Sequence, residues 1–149
     1  ALSPLEVAKK INAYQSHLTS GPCSISQWAA LGAIKESEND VCNMLSIFKK
    51  RRDLICSLLG EMPLISFTVP EGAFYVFINI KECFDKSYEG QVIDNDIAFC
   101  NTLLEAELVA VVPGSAFLAP EYIRLSYASS EDEIQEGMKR LKRFLEKIK

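Results

Sequence analysis

The first 36 residues carry helical spacing of apolar side chains and no strand pattern. Ser3-Pro4-Leu5-Glu6 is typical of a helix start, because serine can cap, proline suits the first helical position and glutamate completes a capping box. A loop from Ser16 to Ser24, broken by Gly21-Pro22, separates this helix from a second one that begins near Ile25. Two helices are therefore predicted for this stretch.

The longest helical signal runs from Ser37 to Leu59, and Gly60 follows at the position of a C-terminal cap. At 1.5 Å per residue such a helix is roughly 34 Å long, which is long for an ordinary domain and typical of a helix that bridges two bodies. We therefore expect residues 1–36 to be the end of a larger domain. Residues 37–149 then form a smaller domain that begins with this helix.

Beyond Gly60 the apolar period changes to the alternation that is typical of strands. Four segments show it: Ile65–Val69, Ala73–Ile80, Glu107–Gly114 and Tyr122–Ala128. The first two are predicted to form a hairpin, a polar loop is predicted from Lys81 to Gln91, and helices are predicted from Asp94 and, with a Ser130–Glu133 capping box, from Ser130. The order α-β-β-α-β-β-α after Ser37 predicts an α+β fold with helices packed on a sheet of about four strands.

Composition and charge narrow the range of partners. The 149 residues are 48% hydrophobic and 24% charged, with a formal net charge of -4. An acidic balance argues against a nucleic-acid partner, which requires a basic face. No apolar run approaches the roughly 20 residues of a membrane span, and the N-terminus lacks the pattern of a signal peptide. We expect neither nucleic acid nor membrane as a partner.

The cysteines and the single histidine indicate no metal site. The five cysteines are odd in number, widely spaced and without a C-x-x-C pair, so they predict free thiols in a reducing, cytoplasmic setting. His17 is the only histidine and is expected to be a solvated loop residue. There is no glycine-rich phosphate loop and no nucleophile motif. Asp94 and Asp96 are interpreted as helix-capping residues.

Arg124 is the residue whose position asks for an explanation. In the strand Tyr122–Ala128, Ile123 and Leu125 share one face while Arg124 falls on the other, away from the predicted core. A guanidinium presents a planar fork that matches a carboxylate bidentately. Spacing alone favours the simpler interpretation, a structural ion pair on the sheet surface, and leaves a carboxylate-binding role open.

Several strings together resemble the C-terminal portion of class I pyridoxal-phosphate aminotransferases, most closely the bacterial aspartate aminotransferases. They are "TSGPCSISQWAALGAI", "VPEGAFYVF", "LVAVVPGSAF" and "YIRLSYASSEDEIQEGMKRL", in this order and covering essentially the whole chain. The resemblance implies a dimeric fold-type-I enzyme in which a large domain carries the cofactor and a small domain closes over the amino acid. It assigns residues 1–36 to the large domain and residues 37–149 to the small one.

The same resemblance implies roles for individual residues. Arg124 occupies the position of the arginine that binds the substrate α-carboxylate. Gly72, Phe74, Gly114 and Ser115 are expected near the substrate, and the loop Thr19–Pro22 near the dimer interface. The implied reaction transfers an amino group between an amino acid, with aspartate favoured, and a 2-oxo acid such as 2-oxoglutarate.

The chain departs from a whole enzyme of this kind in one respect. The family's Schiff-base lysine follows a serine and precedes a "GWR.GY"-like string, which is not present. We therefore expect a C-terminal fragment that contributes no catalytic or cofactor-binding residue, holds no pyridoxal phosphate stably and is inactive alone. Two alternatives stay open: a family member specific for aromatic amino acids or alanine, and a non-catalytic interaction module.

Overall fold

The computed structural model describes residues 2–149 and divides the chain into two compact units, one up to Met44 and one from Leu45 to Lys149. The first unit contains α1 (Leu5–Leu18), α2 (Ser24–Glu36) and the beginning of α3 (Glu38–Leu59). Neither α1 nor α2 has a buried residue, and large apolar side chains such as Trp28 and Ile34 are exposed. These two helices have no hydrophobic core of their own.

Two details of the first helix differ from the sequence prediction. Pro4 flanks α1 and no side chain caps the helix, so the predicted Ser3–Glu6 capping box is wrong; Glu6 instead pairs with Lys9 one turn later, at 3.1 Å. The helix also runs on to Leu18, because the Thr19 N–H still donates to the Gln15 carbonyl. His17 is therefore an exposed helical residue rather than a loop residue.

The second unit is an α+β domain, as predicted. Its further elements are β1 (Ser66–Phe67), β2 (Tyr75–Asn79), β3 (Lys86–Tyr88), β4 (Gln91–Ile93), α4 (Asp96–Glu107), β5 (Val112–Pro113), β6 (Tyr122–Ser126) and α5 (Glu131–Lys147). Strands β1, β2, β6 and β5 form an antiparallel four-stranded sheet in that order. The Ser130–Glu133 capping box of α5 is present as predicted.

A hairpin of β3 and β4 replaces the predicted polar loop from Lys81 to Gln91, so the order α-β-β-α-β-β-α lacks one pair of strands. Its two-residue turn, Glu89-Gly90, has positive φ at both positions, as a tight hairpin requires. The hairpin is fixed by tertiary contacts: the Tyr88 ring stacks on Phe144 with centroids 4.8 Å apart, and Ser87 exchanges backbone hydrogen bonds with Lys149. Each strand is only three residues long, which is too short for an alternating pattern to predict the hairpin from the sequence.

The ends of α4 and β5 also differ from prediction. The N-cap of α4 is Asn95, whose side chain accepts from the Ala98 N–H, so neither Asp94 nor Asp96 has the predicted capping role. At the other end, Glu107 is the last residue of α4 rather than the first of a strand. Leu108 then turns the chain with a left-handed conformation, and only Val112–Pro113 pair as β5.

One buried cluster holds the second unit together. The core face of the sheet contributes Val76, Ile78, Ile123 and Leu125, and the helices contribute residues such as Ile55, Phe99 and Phe144. The outward-facing residues of β2 and β6 are only partly buried or exposed. Within residues 2–149, no helix is both long enough and apolar enough to cross a membrane. One face of the sheet therefore packs on the core, and the opposite face points outward and carries the candidate site.

Candidate functional site around Arg124

Arg124 lies in the middle of β6 on the outward face of the sheet, as its position in the sequence predicted. Its neighbours Ile123 and Leu125 are buried in the core, whereas Arg124 itself is partly exposed. Directly opposite it across the two flanking strands lie Phe77 of β2 and Val112 of β5. The side chain therefore projects from the centre of the sheet with strands on both sides.

Two aromatic rings contact the Arg124 guanidinium. The Cζ atom is 4.1 Å from the centroid of the Tyr75 ring and 4.3 Å from that of Phe117. Both distances fall well inside the range of a cation–π interaction. Among residues 2–149, no carboxylate lies within 4.0 Å of Arg124 and no hydrogen bond involves its N–H groups. The ion pair that spacing alone favoured is absent from this part of the chain.

The aromatic character extends along the same face of the sheet. Phe77 stacks on Tyr122 with centroids 5.0 Å apart and an angle of 7° between the rings, and it meets Phe117 edge-on at 6.2 Å. Tyr75, Phe77 and Tyr122 also line an open cavity of about 580 Å³, which includes Glu71. The outward face thus combines one cation with several aromatic rings.

The turn that carries Phe117 is anchored by a buried carboxylate, that of Asp96. It is a short 3-10 helix, Gly114–Phe117, in which the Ser115 N–H donates to the Oδ2 atom of Asp96 at 2.7 Å. Asp96 is buried at the start of α4, so its carboxylate holds the turn on the body of the domain. The Ala119 N–H closes the turn on the Gly114 carbonyl at 3.0 Å.

Gly114 is required for a steric reason. A Cβ atom on this residue would lie 2.1 Å from the Ala119 carbonyl oxygen and 2.4 Å from that of Tyr122. Such distances are far inside van der Waals contact, so the turn can approach β6 this closely only without a side chain. Gly114 and Ser115 thus act through their backbone, by setting where the Phe117 ring lies.

Phe74 and Gly72, the other two expected site residues, differ in their relation to Arg124. The Phe74 ring contacts Tyr75 with centroids 4.4 Å apart, so Phe74 supports one of the rings against Arg124. Gly72 instead lines a separate cavity of about 260 Å³ with residues such as Arg52 and Tyr127. The Tyr127 hydroxyl donates to the Ala73 carbonyl at 3.0 Å and fixes this segment. The structure thus brings Phe74, Gly114 and Ser115 to the surroundings of Arg124, but not Gly72.

The remaining reactive side chains do not gather into a second site. Burial raises the pKa of Cys83 and of Cys100 to about 12, which keeps both thiols protonated and poor as nucleophiles. All five cysteines are free, and residues 2–149 contain no group of three potential metal ligands. Arg124 and the rings around it form the most distinctive polar feature of the described chain.

Sequence reasoning missed the rings and the buried anchor. Tyr75 and Phe77 alternate with Val76 and Ile78, so strand parity already placed them on the face of Arg124. Phe117 follows the Gly114-Ser115 string, but only the folded turn brings it over the guanidinium. Asp96 was interpreted as a cap because its sequence neighbours suit a helix start, and its contact with Ser115 is a tertiary one.

Comparison with known proteins decides the family. A family model described as aminotransferase class I and II matches residues 1–141 of this chain. The chain belongs to the class I and II aminotransferases. A probable aspartate/prephenate aminotransferase of Rhizobium leguminosarum bv. phaseoli is 42% identical over 146 residues, and the aspartate aminotransferase of Bacillus subtilis (strain 168) is 42% identical over 142 residues.

Solved structures agree with this assignment. The aspartate aminotransferase of Rhizobium meliloti matches with a TM-score of 0.91 at 37% identity, over 99% of this chain and 37% of that one. The aromatic aminotransferase of Pyrococcus horikoshii OT3 matches with a TM-score of 0.83 at 31% identity, over 97% of this chain and 37% of that one. The two curated relatives are matched over 97% and 95% of this chain, which spans 36% and 35% of their lengths. This aminotransferase chain therefore spans about a third of the relatives that it matches.

Proposed function

We propose that this chain is the C-terminal part of an aminotransferase that moves an amino group between an amino acid, with aspartate favoured, and a 2-oxo acid such as 2-oxoglutarate. The family match over residues 1–141 carries the proposal. The names of the relatives support aspartate as the amino donor, since several are aspartate or aspartate/prephenate aminotransferases. In this proposal residues 1–36 belong to the large domain and residues 37–149 to the small one.

Arg124 is proposed to bind the α-carboxylate of the substrate. Its guanidinium has no carboxylate partner within residues 2–149, so its donors are available to an incoming anion. A planar fork of N–H groups suits a carboxylate bidentately, and the bond is charge-assisted. Holding the α-carboxylate fixes the orientation of the neighbouring Cα–H bond, which is a positioning role rather than a proton-transfer role.

Pyridoxal phosphate is proposed as the cofactor of the whole protein, where it supplies an electron sink for chemistry at Cα. The described residues do not fit a site for it. No lysine among residues 2–149 is buried, and none lies on the sheet face with Arg124. We therefore assign none of them to the cofactor, and we expect this chain alone to be inactive and to hold no cofactor stably.

Further parts of the proposal concern assembly and location. The whole protein is expected to be a homodimer, with the segment Thr19–Pro22 near the interface. A reducing, cytoplasmic setting fits the free thiols of all five cysteines. Gly72, Phe74, Gly114 and Ser115 are proposed to lie near the bound substrate.

The second candidate function is amino transfer from an aromatic amino acid instead of aspartate. The aromatic face of Tyr75, Phe77 and Tyr122 beside Arg124, and the similarity to an aromatic aminotransferase, favour an aromatic amino acid as donor. A panel of aspartate, an aromatic amino acid and alanine, each assayed with 2-oxoglutarate and the complete protein, separates the candidates. The highest kcat/KM with aspartate supports the first, whereas the highest value with the aromatic donor supports the second.

The experiment that tests the role of Arg124 is its replacement by alanine in the complete protein. We expect Arg124→Ala to remove most of kcat/KM while the absorbance of bound pyridoxal phosphate is retained, because Arg124 is proposed to bind the substrate and not the cofactor. Unchanged kcat/KM would remove the proposed role. Absence of amino transfer with every donor in the wild-type protein would instead favour the non-catalytic interaction module.

A further inference from the structure

The guanidinium of Arg124 is held by aromatic rings where a buried or half-buried arginine ordinarily has a carboxylate. A carboxylate partner would orient the cation, but it would also occupy its donors and compete with any incoming anion. A ring attracts the cation through its quadrupole and takes none of the strong N–H donors. Tyr75 and Phe117 can therefore restrict Arg124 and leave its charge available.

From this arrangement we propose that Tyr75 and Phe117 are positioning residues that hold Arg124 ready for the substrate carboxylate. The inference rests on the proposed function, because it assigns these rings a task only if Arg124 binds that group. A long, flexible arginine side chain loses conformational freedom when it binds an anion. Restricting it beforehand removes part of that cost, which strengthens binding without any new contact to the substrate.

Each ring is itself fixed by contacts within the domain. Phe117 belongs to the turn that Asp96 anchors through the Ser115 N–H at 2.7 Å. Tyr75 belongs to the central strand β2, where it lies opposite Ser126, and the Phe74 ring supports it at a centroid distance of 4.4 Å. Neither ring depends on the other for its place, so each can be altered separately.

The rings also change the surroundings of the charge. Their apolar surfaces lie against the guanidinium and exclude part of its hydration shell. An ion pair formed in such a setting is stronger than one formed in open water. Phe74, Gly114 and Ser115 gain a physical role from this arrangement: they place the two rings rather than touch the substrate.

The test uses the complete protein with pyridoxal phosphate bound, in two backgrounds. Phe117→Leu and Tyr75→Leu keep an apolar side chain but remove the ring, whereas Phe117→Tyr and Tyr75→Phe keep the ring. With Arg124 present, we expect each leucine variant to lower kcat/KM for the amino donor by about three- to thirtyfold, the range of one cation–π interaction. The ring-keeping variants are expected to stay within about twofold of wild type, below the weakest such interaction.

The second background, Arg124→Ala, shows whether the rings act through the arginine. Single-turnover measurements at high enzyme concentration give kcat/KM there even when turnover is slow. A ring that acts through Arg124 has nothing left to hold, so its leucine variant should add less than about a twofold effect in this cycle. Equal losses in both backgrounds, or no loss in either, would overturn the inference.

Failure of this inference can be told apart from failure of the proposed function. If Arg124→Ala itself leaves kcat/KM unchanged, the carboxylate-binding role is wrong and the inference fails with it. If Arg124→Ala removes activity but the leucine variants match wild type, only the positioning role of Tyr75 and Phe117 is wrong.

Discussion

At the scale of single residues, Arg124 shows how a strand can present a charge without neutralising it. Its backbone lies in the centre of the sheet between Phe77 and Val112, while its guanidinium lies over the rings of Tyr75 and Phe117. Cation–π contacts contribute roughly 0.5–1 kcal/mol at exposed sites and about 2 when desolvated. That is enough to bias the conformation of the side chain and too little to compete with a bidentate carboxylate.

Gly114 is the residue at which a single methyl group is expected to matter most. In Gly114→Ala the new Cβ would meet two backbone carbonyl oxygens at 2.1 and 2.4 Å, and neither can rotate away. We expect the free energy of unfolding to fall by about 1–3 kcal/mol, the usual cost of overpacking, and the Phe117 turn to shift. Urea denaturation measures the loss.

Gly137 provides the matched control. It lies inside α5, and a Cβ atom there would meet nothing within 4 Å. Gly137→Ala should therefore raise the free energy of unfolding by about 0.5–1 kcal/mol, because alanine favours a helix over glycine. Gly114→Ala as stable as Gly137→Ala would contradict the steric role of Gly114.

At the scale of elements, helices α4 and α5 are joined by an ion pair with one buried partner. Glu107 ends α4 and is 3% exposed, and Arg143 of α5 donates to both of its carboxylate oxygens. Lys147 lies 3.9 Å from the same carboxylate, and Arg140 donates to the Glu107 carbonyl. The cluster fixes how α5 lies against α4, the helix that also anchors the Ser115 turn.

This cluster predicts a specific acid sensitivity. The hydrogen bonds from Arg143 hold the pKa of Glu107 below its usual value of 4.5. Its contribution to stability is therefore complete above about pH 4.5 and is lost as the pH falls through the lowered pKa. Glu107→Gln should be less stable than wild type at pH 7, and the difference should shrink in acid.

Urea midpoints of the two proteins at a series of pH values between neutral and strongly acidic check this. Glu61→Gln offers a control, since Glu61 forms an exposed ion pair with Lys142 of α5 and should change stability little. A constant difference between wild type and Glu107→Gln at all pH values would show that the carboxylate's charge is not what stabilises the helix pair.

The elements also show what the sequence could and could not predict. The start of α5 was predictable, because Ser130 and Glu133 form the capping box that the sequence indicates. The β3–β4 hairpin was not, since Lys86–Tyr88 and Gln91–Ile93 are only three residues each and depend on Phe144 and Lys149 for their place. Glu107 was predicted as a strand residue because it directly precedes the apolar run Leu108–Val112. Its contact with Arg143, 36 residues away, has no local signature.

The candidate site was also only partly predictable from the sequence. Strand parity placed Arg124 on the outward face, and parity also put Tyr75 there. The approach of Phe117 depends on a turn fixed by Asp96, which is 19 residues from Ser115 in sequence. A contact of this kind has no local signature, so strand parity could place Arg124 and Tyr75 on one face, whereas the position of Phe117 could not be predicted.

At the scale of the whole molecule, the chain belongs to the class I and II aminotransferases and matches only part of their length. It spans about a third of its relatives, and the helices α1 and α2 expose their apolar side chains. The described residues include an arginine without a carboxylate partner, Arg124, but no buried lysine. This division of labour, with substrate positioning in this chain and cofactor chemistry elsewhere, is the central claim of the proposed function.

The most direct measurement of that claim is the effect of Arg124→Ala on two amino donors in the complete protein. One donor is aspartate and the other is its analogue without the α-carboxylate, 3-aminopropanoate. Removal of Arg124 should lower kcat/KM for aspartate by at least about a hundredfold. This is the loss expected for a charge-assisted, bidentate contact of roughly 3 kcal/mol. The slow reaction of 3-aminopropanoate should change by less than about threefold, since it lacks the group that Arg124 holds. Equal losses with both donors would contradict the account.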